Sequence, residues 1–494
     1  MKSIFVFTLI AGFYFAGVEF AHGREQSGMY TTSSPDSVWL AGQLAGIQDG
    51  GKIDLQGKTL QLNGFLLKKA ITLKNGAIRQ VDANTPCLIV DMRGKISPKF
   101  YALDGVSVLG VPGNISRNNM IDRNFAVLQI FAGQSEVALS NVSVSGAAKQ
   151  GMYAEASGGS LSIEGCRFEN NGNLVRDSIL TDLDSRAFSV QVHNAAQFRQ
   201  GDRVWLGDEL NQVQSIDKNT NTLTFKNDGA SRTVVARTPA QRHFSGQYVT
   251  RYKNFYNGAY IFGSGKSLKI SNSKFNGNSH FGLFNCFEGP AEISSTIASG
   301  NGYIGLGNKT GKNFLFRDCV VSYNTNNGLD INQASNGSIK SCKAIQNGVD
   351  GLFIGQGDNV IIDSNIATGQ KRIGILLNGS KPVGVSHAKV NYNQLSANRI
   401  GVCLTSVSFS QIQGNIIQDN GVGIKIMGQN NVQNPNELFV EDNTFQNNSD
   451  KDIFANVRGY RNGGKPGKLY IQKNGSGKGV SRALSNLKML IYDK

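Results

Sequence analysis

The sequence predicts an all-β chain wound into stacked coils of about 23 residues, and three observations carry the prediction. The first is a glycine column: Gly258, Gly282, Gly305, Gly328, Gly351, Gly374, Gly401 and Gly423, spaced 24, 23, 23, 23, 23, 27 and 22 residues apart. The second is an amide column in step with it: Asn278, Asn301, Asn324, Asn347, Gln370, Asn398, Asn420 and Asn448. The third is an apolar residue directly after each glycine: Ala259, Leu283, Leu306, Leu329, Leu352, Ile375, Val402 and Ile424. A unit this short cannot bury its own core, so it must stack on its neighbours.

Two more columns keep the same phase. Five residues before each amide stands a small or polar residue: Ser273, Thr296, Cys319, Cys342, Asn365, Asn393, Asn415 and Asn443. Three before it stands an apolar one: Phe275, Ala298, Val321, Ala344, Ala367, Leu395, Ile417 and Phe445. Apolar residues alternate locally with others, the period of a strand, and no period of 3.6 runs through the units. Three short strands and three turns fit one unit, giving parallel sheets with rungs ~4.8 Å apart. The amide column then predicts a ladder of side-chain hydrogen bonds along the axis.

Units such as NGLDINQASNGSIKSCKAIQNGV and DGLFIGQGDNVIIDSNIATGQKR resemble the β-helix repeats of the pectin-lyase-like superfamily. The resemblance covers residues 258–448. It extends to the earlier coil GMYAEASGGSLSIEGCRFENN, where Cys166, Phe168 and Asn171 fall in the same columns. It implies a right-handed parallel β-helix and, by analogy, a polysaccharide lyase, epimerase or glycoside hydrolase.

The remaining elements follow in chain order. Lys2 precedes an apolar run from Ile4 to Gly17, and Ala21-His22-Gly23 offers small residues for cleavage, so residues 1–23 read as a signal peptide. Secreted or periplasmic localisation is therefore expected. Ser34-Pro35 before Leu40, Leu44 and Ile47 reads as a short helix capping the first coil. The alternations Ile53/Leu55, Leu60/Leu62 and Ile71/Leu73 start the β-helix within a segment of 24–173. The repeat breaks after Asn171. FRQGDRVWLG, VQSID and NTLTF, with turns at Asp202 and Asn219–Asn221, predict a β-rich insertion over 174–247. The main repeats then run over 248–450, and 451–494 reads as a cap or tail.

The formal net charge is +15, and Lys2 and Glu19 cancel within the leader, so the exported chain keeps it all. Such an excess suits an anionic partner. An acidic polysaccharide fits better than nucleic acid, because the basic residues are dispersed and export is indicated. Six cysteines in so long a chain do not make a disulfide scaffold, and no CxxC pair suggests a metal. Cys166, Cys319 and Cys342 sit in the small-residue column, where packing accounts for them. No membrane span follows the leader, and the assembly is left open between monomer and homotrimer.

Rows of equivalent residues that face outward are where chemistry is sought. Two before the glycine the row reads Tyr256, His280, Tyr303, Asn326, Val349 and Arg372. Two after it come Tyr260, Phe284, Gly307, Asp330, Phe353 and Leu376, and four after it Lys309 and Asn332. Eliminative cleavage of a uronate chain needs a cation against the carboxylate, a base for the C5 proton and an acid for the leaving oxygen. His280, Tyr303 and Tyr256 are the candidate base and acid, with Arg372, Lys309 or Arg251 as neutralising cations. Lys253 arrives beside Arg251, and Tyr260 and Phe284 offer rings for sugar stacking. Asp330 is a further candidate as acid/base, Ca²⁺ ligand or partner of Lys309.

The reading that follows is a lyase acting on an acidic polysaccharide. An epimerase or glycoside hydrolase comes second, and a non-catalytic adhesin or binding protein third. For a hydrolase, Asp330 and Asp350 would stand with backbones about 11 Å apart, beyond the ~6.5–9.5 Å between carboxyls in inverting enzymes. The Asp-Pro-His motif of alginate epimerases and the GDD pair of polygalacturonases are absent, as are P-loop, HExxH and GxSxG motifs. No cofactor is required by this reading, and Ca²⁺ is left open.

Overall fold

The computed structural model describes residues 34–112, 126–207, 209–226, 243, 245–251, 256–309, 312–379, 384–427, 437–456, 469–475, 480–483 and 490–491. Residues 1–23, the expected signal peptide, therefore lie outside the described residues, as do Lys253 and most of the C-terminal segment.

Helix α1 (Pro35–Ala45) opens the described chain. Ser34 caps it, its hydroxyl accepting from the Ser37 N–H at 3.1 Å, and Pro35 supplies a preset φ at the first turn. Lys69 closes the other end, donating to the carbonyls of Leu44 at 2.6 Å and Ile47 at 2.8 Å. Leu40 is fully buried in the same core as Ile53, Leu55, Leu60 and Leu62.

The β-helix proper has about 14 turns. Each coil contributes to three parallel sheets. One complete coil shows the plan: Ala259–Gly263 in the first sheet, Ser267–Ser271 in the second and Lys274–Asn276 in the third. From Ala259 onward each strand of the first sheet pairs in register with its counterpart one coil on, so Ala259, Leu283, Leu306, Leu329, Leu352, Ile375, Val402 and Ile424 line up along one buried row. Several coils depart from the expected three short strands per unit. Leu329–Lys340 and Asp350–Asp363 run unbroken through the first and second sheets.

The glycine column has a steric cause. A Cβ on Gly305 would lie 2.6 Å from the Gly328 carbonyl oxygen and 2.7 Å from Asn324 Nδ2, and the clash with the next coil's carbonyl recurs at Gly258, Gly282, Gly351, Gly374 and Gly401. The stacked backbone leaves no room for a side chain there. Gly305→Ala is expected to cost about 1–3 kcal/mol as overpacking, seen as a lower urea midpoint. Gly42→Ala in α1, where nothing lies within 4 Å, serves as the neutral or stabilising control.

The amide column forms the expected ladder, fully buried. Asn171 Nδ2 donates to Asn278 Oδ1 at 3.0 Å, and the pattern repeats through Asn301, Asn324 and Asn347 to Gln370. Each amide oxygen also accepts the backbone N–H of the preceding residue in the column. Gln370, one methylene longer, bonds to Asn398 through its backbone N–H instead. Asn448 ends the ladder by donating to the buried Asp452 carboxylate at 3.0 Å. The small-residue column holds a second ladder, Asn365–Asn393–Asn415–Asn443–Asn474. Cys319 and Cys342 precede it in that column. All six cysteines are buried and free of disulfides.

A second compact unit comprises the described residues from Arg176 to Arg251. Its sheet has six antiparallel strands, in the order Arg176–Ser178, Tyr248–Arg251, Arg203–Leu206, Glu209–Asp217, Thr222–Phe225 and Ser189–Gln191. Glu209 and His243 form a buried pair at 3.3 Å inside it.

Candidate functional site

The outer face of the first sheet carries the rows singled out in the sequence, and packing divides them into an aromatic half and a polar half. In the aromatic half, Tyr153, Tyr260, Phe281, Phe284 and Ile304 form an apolar cluster separate from the main core. Tyr260 stacks on Phe284 at 5.2 Å and meets Tyr153 edge-on at 5.5 Å. The Phe281 ring folds over the next coil: a Cβ on Gly307 would lie 2.6 Å from it. The expectation that Tyr260 and Phe284 form an open stacking surface is therefore corrected. Neighbouring coils cover both rings. Burial also raises the Tyr260 phenol far above its usual range, and its hydroxyl bonds to the Cys286 thiol, itself pushed up to about 12.

The row Tyr256, His280, Tyr303 is contiguous, since the His280 N–H donates to the Tyr256 carbonyl and the Tyr303 N–H to that of His280. Its outward exposure is corrected: His280 is 1% and Tyr256 3% exposed, while Tyr303 is half-buried. The His280 tautomer follows from its neighbour. Asn257 Oδ1 accepts the Phe281 backbone N–H at 3.2 Å, and Asn257 Nδ2 donates to Gln150 Oε1 at 3.0 Å. The amide orientation is thus fixed, and His280 Nδ1, 3.3 Å from that oxygen, must carry the proton. Its ring lies flat on Tyr303, with centroids 4.9 Å apart and planes 5° from parallel.

Burial lowers the His280 pKa to about 3, so the ring is neutral at physiological pH. Between about pH 3 and the usual value of 6.5 the unfolded chain binds a proton that the folded one refuses. Stability should therefore fall on acidification through that window, by up to about 1.4 kcal/mol per pH unit, and this contribution vanishes above pH 7. Urea unfolding at pH 7 and pH 4.5 tests this: His280→Gln should flatten the difference.

The polar half centres on Asp330, which lies between Gly307 and Phe353 in its row. Its carboxylate accepts from Asn327 Nδ2 at 2.8 Å and from Asn332 Nδ2. Asn327 Oδ1 in turn accepts the Asp350 N–H at 3.2 Å. Asp350, fully buried, takes a two-pronged grip from Arg372, with Nε–Oδ1 at 2.9 Å and Nη2–Oδ2 at 2.6 Å. Asn327 thus ties the Asp330 carboxylate to the Asp350 backbone on the next coil. Lys309 is in register with Asn332, which bonds Asp330, and burial lowers its ammonium pKa.

Arg251 belongs to the insertion sheet, largely buried, with Nη1 3.9 Å from Asp202. Asn257 and Asn327 are neighbours of the candidate residues that row-by-row reading passed over, and Asp350, weighed there only as a hydrolase carboxylate, is the partner of Arg372. Asn327 and Asp350 share the column just before the glycine, a signal present in the sequence. Among the described residues no group of three His, Cys, Asp or Glu side chains gathers to hold a metal, and no helix is long and apolar enough to cross a membrane.

Residues 238–387 and 288–449 match the family model described as a right handed beta helix region. No curated protein is similar to the chain. Among solved structures, the A-module of an Azotobacter vinelandii mannuronan C-5 epimerase is similar at 13% identity, covering 92% of this chain and 91% of its own, with a TM-score of 0.39. A periplasmic alginate epimerase is similar at 12% identity over 85% and 83% of the two chains, TM-score 0.43. The tailspike of Pseudomonas phage phi297 is similar at 11% identity over 73% and 72%, TM-score 0.33. In-register parallel rungs, three sheets and the matched repeat region lead to one conclusion: the chain is a right-handed parallel β-helix.

Proposed function

We propose that the chain is a secreted or periplasmic enzyme acting on an acidic polysaccharide, and that it cleaves a uronate chain by β-elimination. The observation that carries this reading is the polar half of the first sheet's outer face. Asp330 is held by two amide donors there, and the half-buried Lys309 stands on the adjacent coil. In the proposed roles Lys309 neutralises the uronate carboxylate and Asp330 accepts the C5 proton. Tyr303, half-buried where Tyr256 and His280 are buried, protonates the leaving oxygen.

His280 is assigned a supporting role, because a buried neutral imidazole stacked on Tyr303 positions that ring. Of the three candidate cations Arg372 is set aside, since Asp350 already matches its charge. The same pair weakens the hydrolase alternative: Asp350, sealed under Arg372, offers no second reachable carboxylate.

The test is the near-ultraviolet absorbance of unsaturated uronate, followed while the purified protein is incubated with alginate, polygalacturonate and glycosaminoglycans, with and without Ca²⁺. A rise on one polymer, reduced at least about 100-fold by Asp330→Asn, supports the lyase. Altered uronate configuration without new chain ends would replace it with an epimerase. New reducing ends without unsaturation would point to hydrolysis, and neither change would leave a binding protein.

A further inference from the structure

One corner of the β-helix carries exposed rings where the other coils carry amides. At the turn from the first sheet to the second, equivalent positions read Asn313, Asn336, Asn359, His387, Phe409 and Glu437. All six adopt positive φ, between 49° and 58°. Asparagine tolerates that left-handed conformation, whereas it is disfavoured for bulky side chains. Phe409 occupies it nonetheless and gains no buried environment in return, being 43% exposed, and the His387 side chain beside it is 60% exposed.

The two rings are ordered against each other. Their centroids are 5.4 Å apart and their planes 12° from parallel. Asp358 fixes the imidazole, its Oδ1 lying 2.7 Å from His387 Nδ1 while also accepting from Ser386 Oγ at 2.7 Å. On the preceding coils the strip continues as exposed amides, Asn359 Nδ2 donating to Asn336 Oδ1 at 2.9 Å. Gln333 and Gln356 lie alongside, joined at 3.5 Å.

We propose that this corner strip, from Asn336 to Phe409, is an accessory binding surface for an extended neutral saccharide chain. A pre-ordered pair of rings suits the apolar face of a pyranose. Amides and hydroxyls beside it match sugar hydroxyls, which both donate and accept. The strip runs along the helix axis, as an extended chain requires. The charges select against an acidic chain, because Asp358 lies beside the rings and Glu437 follows Phe409 in the column. The strip is thereby distinct from the Lys309–Asp330 site.

Native-gel affinity electrophoresis of the full chain in galactomannan, xyloglucan or polymannuronate tests the proposal. Retardation in a neutral gel is expected, with an apparent Kd at least fivefold weaker for Phe409→Ala and His387→Ala. Tyr392→Ala, an exposed ring at another corner, and Asp330→Asn should bind as the parent does. Circular dichroism confirms that each variant is folded. Absence of retardation by both neutral polymers, retardation by polymannuronate alone, equal binding by Phe409→Ala, or equal loss with Tyr392→Ala would overturn it. Uronate cleavage that persists in Phe409→Ala separates this surface from the proposed active site.

Discussion

Arg372→Ala is expected to destabilise the β-helix by about 3–5 kcal/mol, one of the two largest single-residue effects the structure implies. The variant leaves the fully buried Asp350 carboxylate without the guanidinium that grips both its oxygens. A fifth of the Arg372 side chain meets solvent, so the loss should fall toward the lower end of that range. The cost arises from the stranded charge rather than from a large intrinsic worth of the pair. Asp350→Leu combined with Arg372→Met should therefore recover most of the stability. Chemical denaturation of the single and double variants decides the matter: equal losses in both would show that the pair itself, and not the orphaned carboxylate, sets the cost.

Asn324→Ala should be comparably severe, at about 3–6 kcal/mol. Asn324 makes four side-chain hydrogen bonds in a fully buried position. Its Oδ1 accepts from Asn301 N and Nδ2, and its Nδ2 donates to the Ala298 carbonyl and to Asn347 Oδ1. Alanine strands donors and acceptors on both adjacent coils, where water cannot reach them. Asn474→Ala, at the half-buried end of the second ladder, is the reference and should cost less. Thermal or urea melts of the two variants measure the contrast, and equal losses would remove the ladder as a source of stability.

The sequence exposes those features that every coil must repeat. The glycine column is legible because each coil brings the next carbonyl to the same place. The amide column is legible because a ladder needs the same residue at each rung. The cover on the outer rows was not legible. Alternation shows that Tyr260 and His280 point away from the core, but not that Phe281 folds over Gly307 or that adjacent rings shield one another. That shielding depends on how side chains two and three positions apart lean across a coil. Reading along rows also concealed diagonal partners. Arg372 lies 22 residues after Asp350, one short of a full coil, so the pair belongs to neighbouring columns. Asp330 was visible as a lone carboxylate in an apolar row, and Asn332 beside Lys309, whereas the second amide donor, Asn327, in another column, was not.

The ladder also crosses a seam. Asn171 bonds to Asn278 across 107 residues of chain, where other rungs of the same ladder bridge 23. Because closure entropy grows only with the logarithm of loop length, holding that seam shut costs just ~1.4 kcal/mol more than an ordinary rung. Kinetically the difference matters more. Coils after Asn278 can zip by short-range closure, while those before Asn171 must find the growing end across a long tether. Assembly from the later coils toward the N-terminus is the order this connectivity favours. The same logarithm explains why a lineage could lengthen or exchange the segment between these two asparagines at little thermodynamic risk: the stack registers only that its ends return to one rung.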